Sequence, residues 1–227
     1  MDNLILSLIP LGLAAAFQPP QVIAMLVLLQ TKRGIINGLS FMIGMFFFRM
    51  VLGLGFWFFA SSLEESVEST GGRFSFLVSG VLMVLGLLLL VNALRRAFSA
   101  PNEDQTASSW LENLKDVSPV RAGLVGIAFL ALDPKDWVTD LAAVNLIADA
   151  DLSGANSLMT YLIYLLMALS LLLIPLISIL VFPKKAKRVL NRLSGWLEQH
   201  MRSIEIIMAI IFGLVFIGIG LGGLGLI

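Results

Sequence analysis

The sequence predicts an all-α integral membrane protein with six transmembrane helices. They form two inverted three-helix repeats, in which helices 1 and 4 are broken. Three observations lead to this fold class: the composition, the long apolar segments and a short motif that occurs twice. Of the 227 residues, 58% are hydrophobic and 13% are charged, whereas soluble domains have about 25% charged residues. This composition excludes a soluble globular domain and an intrinsically disordered chain.

Charge and cysteine content exclude further classes of function. Fifteen basic residues balance fifteen acidic residues, so no net basic charge favours a nucleic acid partner. The chain has no cysteine, which excludes disulfides, thiol catalysis and cysteine-ligated metals. His200 is the single histidine, so a multi-histidine metal site is excluded as well. We therefore expect no enzyme activity, no cofactor, no metal and no nucleic acid partner.

The apolar segments set the number of predicted spans. A helix needs about 20 mostly apolar residues to cross the hydrocarbon core of a bilayer. The first segment lacks a basic flank and is too long for a secretory signal, so we interpret it as a retained helix. Six segments meet the length requirement, at about 4–30, 35–60, 74–94, 121–148, 157–182 and 204–226.

These spans divide the chain into two halves and a linker. We predict a first three-helix repeat over 1–96, a linker over 97–120 and a second repeat over 121–227. The second repeat includes residues 184–203, where apolar residues recur at helical spacing among basic ones. This pattern is typical of an interfacial helix that lies on the membrane surface.

Basic residues in the connections predict the orientation. Twelve of them lie in the first, third and fifth connections, and one lies in the second and fourth together. Because basic loops remain on the cytoplasmic side, both termini are predicted on the outer side of a multi-pass protein of the cytoplasmic membrane.

The repeated motif lies near the centre of the first and fourth spans. It reads QPPQ at 18–21 and DPKD at 133–136, and the two copies align without a gap at an offset of 115 residues. Proline breaks or kinks a helix and frees backbone polar groups, which a membrane protein tolerates only inside the protein or beside a wet cavity. Prolines in corresponding spans of two halves therefore indicate a binding site. A packing kink without function is the alternative.

The fourth span also carries an unusual number of charges. Asp133, Asp136 and Asp140 are spaced so that they share one helix face, with Lys135 between them and Arg49 in the second span. A lipid-facing charge costs about 3 kcal/mol or more at the helix centre, so these side chains are expected to face inward. They are interpreted as a working set in which an acid carries a proton, or as a static ion pair that fixes helix 4 against helix 2 through Arg49.

Two short segments carry a resemblance to a known family. The basic turn TKRG at 31–34 after a proline-bearing helix, and the motif LDPKDW at 132–137, resemble the lysine-exporter superfamily and its glycolipid-addressing branch. That branch usually has Asn where this chain has Asp133. The resemblance implies export or translocation of amino acids, metals or envelope lipids, and it maps onto Pro19, Asp133, Pro134 and Lys135.

Together these features predict a secondary transporter or lipid translocase for an amphipathic or anionic substrate. Membrane lipids and that lipid or anionic small molecule are the expected partners, and a homo-oligomer is left open. The expected substrate-binding residues are Arg49, Lys135, Gln18, Gln21, Pro19, Pro134 and Trp137, and those expected in proton or ion coupling are Asp133, Asp136 and Asp140.

Three alternatives remain open on the sequence. The first is a non-transporting assembly factor for envelope-lipid synthesis or export. The second is an amino-acid or metal exporter, in which the acids of the fourth span would supply oxygen ligands. The third is an intramembrane enzyme that uses the same acids in acid–base catalysis.

Overall fold

The computed structural model of the protein describes residues 2–66, 71–98, 114 and 116–225. Within these residues the chain forms nine α-helices. In chain order they are α1 (Asp2–Ala16), α2 (Pro19–Gln30), α3 (Gly34–Ser66), α4 (Gly71–Phe98), α5 (Pro119–Ala131), α6 (Pro134–Ala148), α7 (Gly154–Ala168), α8 (Ser170–Val181) and α9 (Pro183–Gly223).

Three helices and two bent helix pairs have the length and apolarity of membrane spans. The three single spans are Gly34–Phe58, Phe76–Phe98 and Gln199–Gly223. The bent pairs are α1 with α2 and α7 with α8, so up to five spans among the described residues meet the length and composition requirement. The predicted fourth span is divided into α5, a short apolar helix, and α6, which carries the charged residues. The chain thus has the helices of a multi-pass membrane protein.

The helix breaks agree with the sequence at two places and differ at a third. α1 and α2 are separated at Phe17–Gln18 and bend by 62°, and α5 and α6 are separated at Leu132–Asp133. The predicted fifth span is also broken, with a 67° bend at Leu169 between α7 and α8. The sequence was interpreted as a continuous helix there, because no proline or glycine marks the break.

The C-terminal helix differs from the expected arrangement. Residues 184–203 were predicted as a separate interfacial helix ahead of the last span, whereas α9 runs without interruption from Pro183 to Gly223. The predicted linker lies largely outside the described residues. At its end, the Asn37 side-chain amide donates to the backbone carbonyl of Val117 at 3.1 Å and ties the segment to α3.

Two helix pairs pack at very short backbone separation. α4 packs along α9, and α3 packs along α5. A Cβ atom added to Gly86 would come within 2.6 Å of the Gly213 carbonyl, and one added to Gly44 would collide with the Gly123 carbonyl. Small residues allow this close approach, which provides most of the packing energy between helices in lipid. Gly213 in the last span thus serves helix packing.

The buried apolar side chains form two clusters that meet at the helix breaks. One cluster is built by α2, α5, α8 and the first half of α3. The other is built by α1, α6, α7 and the parts of α4 and α9 that face them. Because each broken span contributes one half to each cluster, the polar residues at the breaks lie between the two apolar regions.

Candidate functional site

The break between α1 and α2 follows from the consecutive prolines. Gln18 has an extended backbone (φ −133°, ψ 93°), the conformation favoured before proline, and Pro19 and Pro20 occupy the first positions of α2. The last carbonyls of α1 therefore lack partners within the helix. Lys135 supplies one: its Nζ donates to the carbonyls of Ala14 at 2.9 Å and Phe17 at 3.5 Å.

The break between α5 and α6 has the same local design. Asp133 has an extended backbone (φ −104°, ψ 100°), Pro134 is the first residue of α6, and the Asp133 carboxylate accepts from the backbone N–H of Lys135 at 2.9 Å. The side chain of Asp133 thus caps α6. At the other side of the break, Trp137 Nε1 donates to the freed carbonyl of Leu130 at 2.9 Å.

Arg49 and two acids of α6 form a buried ion-pair cluster. Arg49 Nη2 lies 2.8 Å from Asp136 Oδ1, and Nη1 lies 2.5 Å from Asp140 Oδ1. Asp136 and Asp140 are four residues apart, so both face α3 from one side of α6. All three side chains are essentially without solvent exposure. This is the ion pair between helices 2 and 4 that the sequence offered as one of two interpretations.

Two tyrosines of α7 complete the ion-pair cluster. The Tyr164 hydroxyl donates to Asp140 Oδ1 at 2.6 Å, and the Tyr161 hydroxyl donates to the backbone carbonyl of Arg49 at 2.8 Å. Gly53 makes room for Tyr161, since a Cβ atom at Gly53 would collide with the phenol. α7 therefore fixes both the acid and the backbone that presents Arg49.

Two glutamines of the first break lie beside this cluster. Gln21 Nε2 lies 3.4 Å from Asp136 Oδ2, and it also donates to the side-chain oxygen of Gln18. Both glutamine side chains are buried, and Gln18 Nε2 has no hydrogen-bond partner. The residues that stand 115 positions apart in the repeated motif, Gln21 and Asp136, thus contact each other directly.

A cavity of about 620 Å³ opens beside the two breaks. We call the part of its lining at the two breaks, Gln18, Pro19, Asp133 and Lys135, the cavity floor; the remaining lining comes mostly from apolar side chains of α4, α5 and α9. Arg96 of α4 and Glu205 of α9 form an ion pair at its far end. A volume of this size suits a small ligand or a lipid headgroup.

The predicted site residues are therefore divided between two places. Gln18, Pro19, Asp133 and Lys135 border the cavity. Arg49 does not, because both of its terminal nitrogens are engaged by the acids of α6. Three further residues lie away from the cavity lining: Gln21 beside the ion-pair cluster, and Asp136 and Asp140 within it.

Pro134 and Trp137 also differ from the expected arrangement. Both are exposed on the outside of the helix bundle, Trp137 by 42%, and neither borders the cavity. Asp133 was expected to act with the other acids of α6, but it caps the helix and does not reach Arg49 in the hydrogen bonds of the structure. Asp133 does not share the helix face of Asp136 and Asp140, because it precedes the first residue of α6.

Sequence reasoning did not single out the tyrosines, Asn92, or the pairing of Arg96 with Glu205. A signal for the tyrosines was present: Tyr161 and Tyr164 are the two tyrosines of the chain, and they lie three residues apart in one apolar segment. Among the described residues no group of three or more potential metal-ligating side chains occurs. The acids of α6 are instead used for ion pairing and helix capping.

Comparison with known proteins identifies the family. A family model described as Sap, sulfolipid-1-addressing protein, matches residues 8–222, which includes both helix breaks, the ion-pair cluster and the cavity. No curated protein and no solved structure gives a significant match. Since the family model covers nearly the whole sequence, the chain belongs to the sulfolipid-1-addressing protein (SfLAP) family.

Proposed function

We propose that this protein is a lipid translocase of the cytoplasmic membrane that moves a lipid with an anionic headgroup from one leaflet toward the other. The observation that carries the proposal is the cavity floor, where Lys135 and Gln18 lie together at two helix breaks. The family name adds the substrate class, because it associates a relative with the addressing of a sulfolipid. An envelope glycolipid that bears a sulfate or another anionic group fits both the cavity floor and the family name.

The contacts of Lys135 support a headgroup site. An ammonium group has three N–H donors, and two of them are used by the carbonyls of Ala14 and Phe17. The third is left for a ligand in the cavity. Gln18 Nε2 is buried, unpartnered and at the same cavity floor, and the N-terminus of α2 adds a favourable field for an anion. These groups form the proposed headgroup site.

An inverted repeat is part of the proposal, and the packing supports it. The equivalent residues Gln21 and Asp136 are in contact, as expected of residues beside a two-fold axis that relates the halves. The same offset relates Arg49 to Tyr164, and both donate to Asp140 Oδ1. We therefore propose six spans in two inverted halves, 1–96 and 121–227, with both termini on the outer side.

We assign the coupling role to the ion-pair cluster. One arginine and two carboxylates, Asp136 and Asp140, share a site without solvent exposure, so the fully ionised cluster holds an excess negative charge. Such a charge is costly in a low dielectric, and uptake of one proton would relieve it. Binding of a proton would weaken the hold of Arg49 on α6 and so free α6 to move. Asp133 is proposed to adjust the charge of the cavity floor.

The proposal is tested with purified protein in vesicles that contain an NBD-labelled sulfated glycolipid and a trace of fluorescent marker lipid. Movement between leaflets is measured by the fraction of label that dithionite reduces from outside. We expect Lys135→Gln to abolish protein-dependent movement and the double variant Asp133→Asn with Lys135→Gln to stay inactive. Lys32→Gln, on an exposed turn, is the matched control and should retain the movement.

The outcomes separate a translocase from an assembly factor. Movement that Lys135→Gln leaves intact would overturn the headgroup site. If the wild-type protein moves no labelled lipid, yet Lys135→Gln still loses its function in cells, the translocase proposal fails and a role as an assembly factor takes its place. Recovery of movement in the double variant would show that Lys135 only neutralises Asp133, and it would also overturn the site.

A further inference from the structure

Among the helices that the structure describes, packing leaves one wall of the cavity unclosed. Going around it, α4 packs against α9, α9 packs against α2, and α2 packs against α5. α4 and α5 face each other across the cavity. Each belongs to one of the closely packed pairs, α4 with α9 and α5 with α3. The seam between α4 and α5 is therefore the boundary between the two tight pairs.

Both helices present a matching stripe to this seam. α4 contributes residues 89, 92, 93 and 96, and α5 together with its C-cap contributes residues 125, 128, 129 and 132. Each set follows the i, i+3, i+4, i+7 spacing of one helix face. The stripe on α4 extends about 10 Å along the helix axis, at 1.5 Å per residue. The cavity thus follows the seam for about two helical turns.

The edges of the stripes are exposed at the protein surface. Asn92 and Arg96 of α4, Ala128 of α5 and the C-cap residue Leu132 border the cavity and are exposed, Leu132 by 82%. We call these four residues the lateral opening. Asn92 is notable because the exposed α4 neighbours Val91 and Leu94 are apolar, as expected for lipid contact. A polar side chain beside lipid-facing residues is accommodated by a wet or headgroup-filled opening.

We propose that the lateral opening admits the substrate directly from one leaflet, with the headgroup in the cavity and the acyl chains in the surrounding lipid. This inference rests on the proposed function and specifies its substrate: a lipid whose chains never leave the bilayer. The charged floor, with Lys135 and Gln18, accommodates the headgroup, and the volume of about 620 Å³ has no need to hold the chains. Because the opening lies near the C-terminal end of α4, the substrate enters from the leaflet on the side of the basic loops.

The absence of native cysteine makes the test direct. Single variants Asn92→Cys and Ala128→Cys place a bimane label at the lateral opening. Leu94→Cys and Leu124→Cys are the matched controls, since both lie on the same two helices, are more than half exposed and do not border the cavity. Each protein is reconstituted in phosphatidylcholine vesicles with a small fraction of either phosphatidylglycerol or phosphatidylcholine that carries a nitroxide on its acyl chain.

We expect the nitroxide phosphatidylglycerol to quench the labels at the opening more than those at the controls. The expected enrichment over phosphatidylcholine is about fivefold, the ratio that one lysine contributes toward an anionic lipid. Lys135→Gln in the same background should remove this excess and leave the controls unchanged. Equal quenching at all four positions would overturn the lateral opening.

Failure of the inference and failure of the proposed function give different results. Excess quenching at the opening that is the same for both lipids and insensitive to Lys135→Gln supports a lipid-filled opening but overturns the headgroup site. Loss of glycolipid movement in Lys135→Gln together with equal quenching at all positions supports the headgroup site and overturns the lateral opening.

A second measurement closes the opening. A short bismaleimide that links Asn92→Cys to Ala128→Cys should abolish glycolipid movement, while the same reagent on either single variant should reduce it much less. Full movement in protein that mass spectrometry shows to be cross-linked would overturn lateral admission.

Discussion

The ion-pair cluster and the cavity floor contain similar charged residues but differ in how they are enclosed. In the ion-pair cluster, Arg49 meets Asp136 and Asp140 with no solvent exposure. At the cavity floor, Lys135 is half-buried, bonded to backbone carbonyls and accessible from the cavity. Ion-paired charges that are sealed from solvent hold helices together, whereas a charge with a spare donor beside open space is suited to bind a ligand. The comparison predicts a graded series of effects on stability.

The largest expected effect is at Arg49. Arg49→Ala leaves two buried carboxylates without their partner, which costs about 3–5 kcal/mol. We expect little folded protein after purification in detergent, measured by size-exclusion profile and thermal unfolding. Arg33→Ala, which removes an exposed arginine, is the control and should unfold like the wild type.

A rescue variant tests the cause of this loss. Arg49→Met combined with Asp136→Asn and Asp140→Asn removes the uncompensated charges and should recover folded protein, because an uncharged set carries no ionic desolvation penalty. It should stay inactive in lipid movement if the cluster has the coupling role. A stable Arg49→Ala protein would contradict a stabilising role for this cluster between α3 and α6.

An intermediate effect is expected at the tyrosines. Tyr164→Phe removes a hydrogen bond to a charged acceptor, Asp140, worth about 1.5–3 kcal/mol. Tyr161→Phe removes a bond to a neutral carbonyl, worth about 0.5–1.5 kcal/mol. Thermal unfolding should therefore place Tyr164→Phe below Tyr161→Phe in stability. The reverse order would indicate that the hold on the α3 backbone matters more than the hold on the acid.

The smallest effect is expected at the far end of the cavity. Arg96 and Glu205 form an ion pair in which Arg96 is 51% and Glu205 24% exposed. Such partly solvated pairs contribute about 0–1 kcal/mol, so Glu205→Gln should change the unfolding temperature little. A large destabilisation would show that this pair, like the buried one, holds the helices of the bundle together.

The residue types explain which features could be predicted from the sequence. Pro19 and Pro134 fix the breaks locally, because a ring in place of an N–H prevents a continuous helix whatever surrounds it. The break at Leu169 has no such residue and depends on packing between α7 and its neighbours, which the sequence does not contain as a local signal. The apolar segments could likewise be predicted, because hydropathy is summed over many residues and does not depend on any single one.

The division of the charged site was harder to predict. Sequence spacing placed Arg49 and Lys135 in one set, but it could not show that both terminal nitrogens of Arg49 would be engaged by two acids of the neighbouring helix. The role of Asp133 as a cap depends on where α6 begins, and helix ends are the least certain part of any pattern. The ion-pair partners of Arg49 depend on tertiary packing, and the role of Asp133 depends on the residue at which α6 begins. These two features decided which residues border the cavity.

The start of α6 at Pro134 also has a mechanical consequence. Consecutive residues of a helix point about 100° apart around its axis, so Lys135 and Asp136 face different sides of the same first turn. The cap at Asp133 makes that turn rigid. If α6 rotates about its axis, Lys135 and Asp136 move together, because both belong to the same rigid turn. Release of Asp136 from Arg49 and withdrawal of Lys135 from the cavity floor are then a single motion, and the two sites are coupled by the stiffness of one short helix.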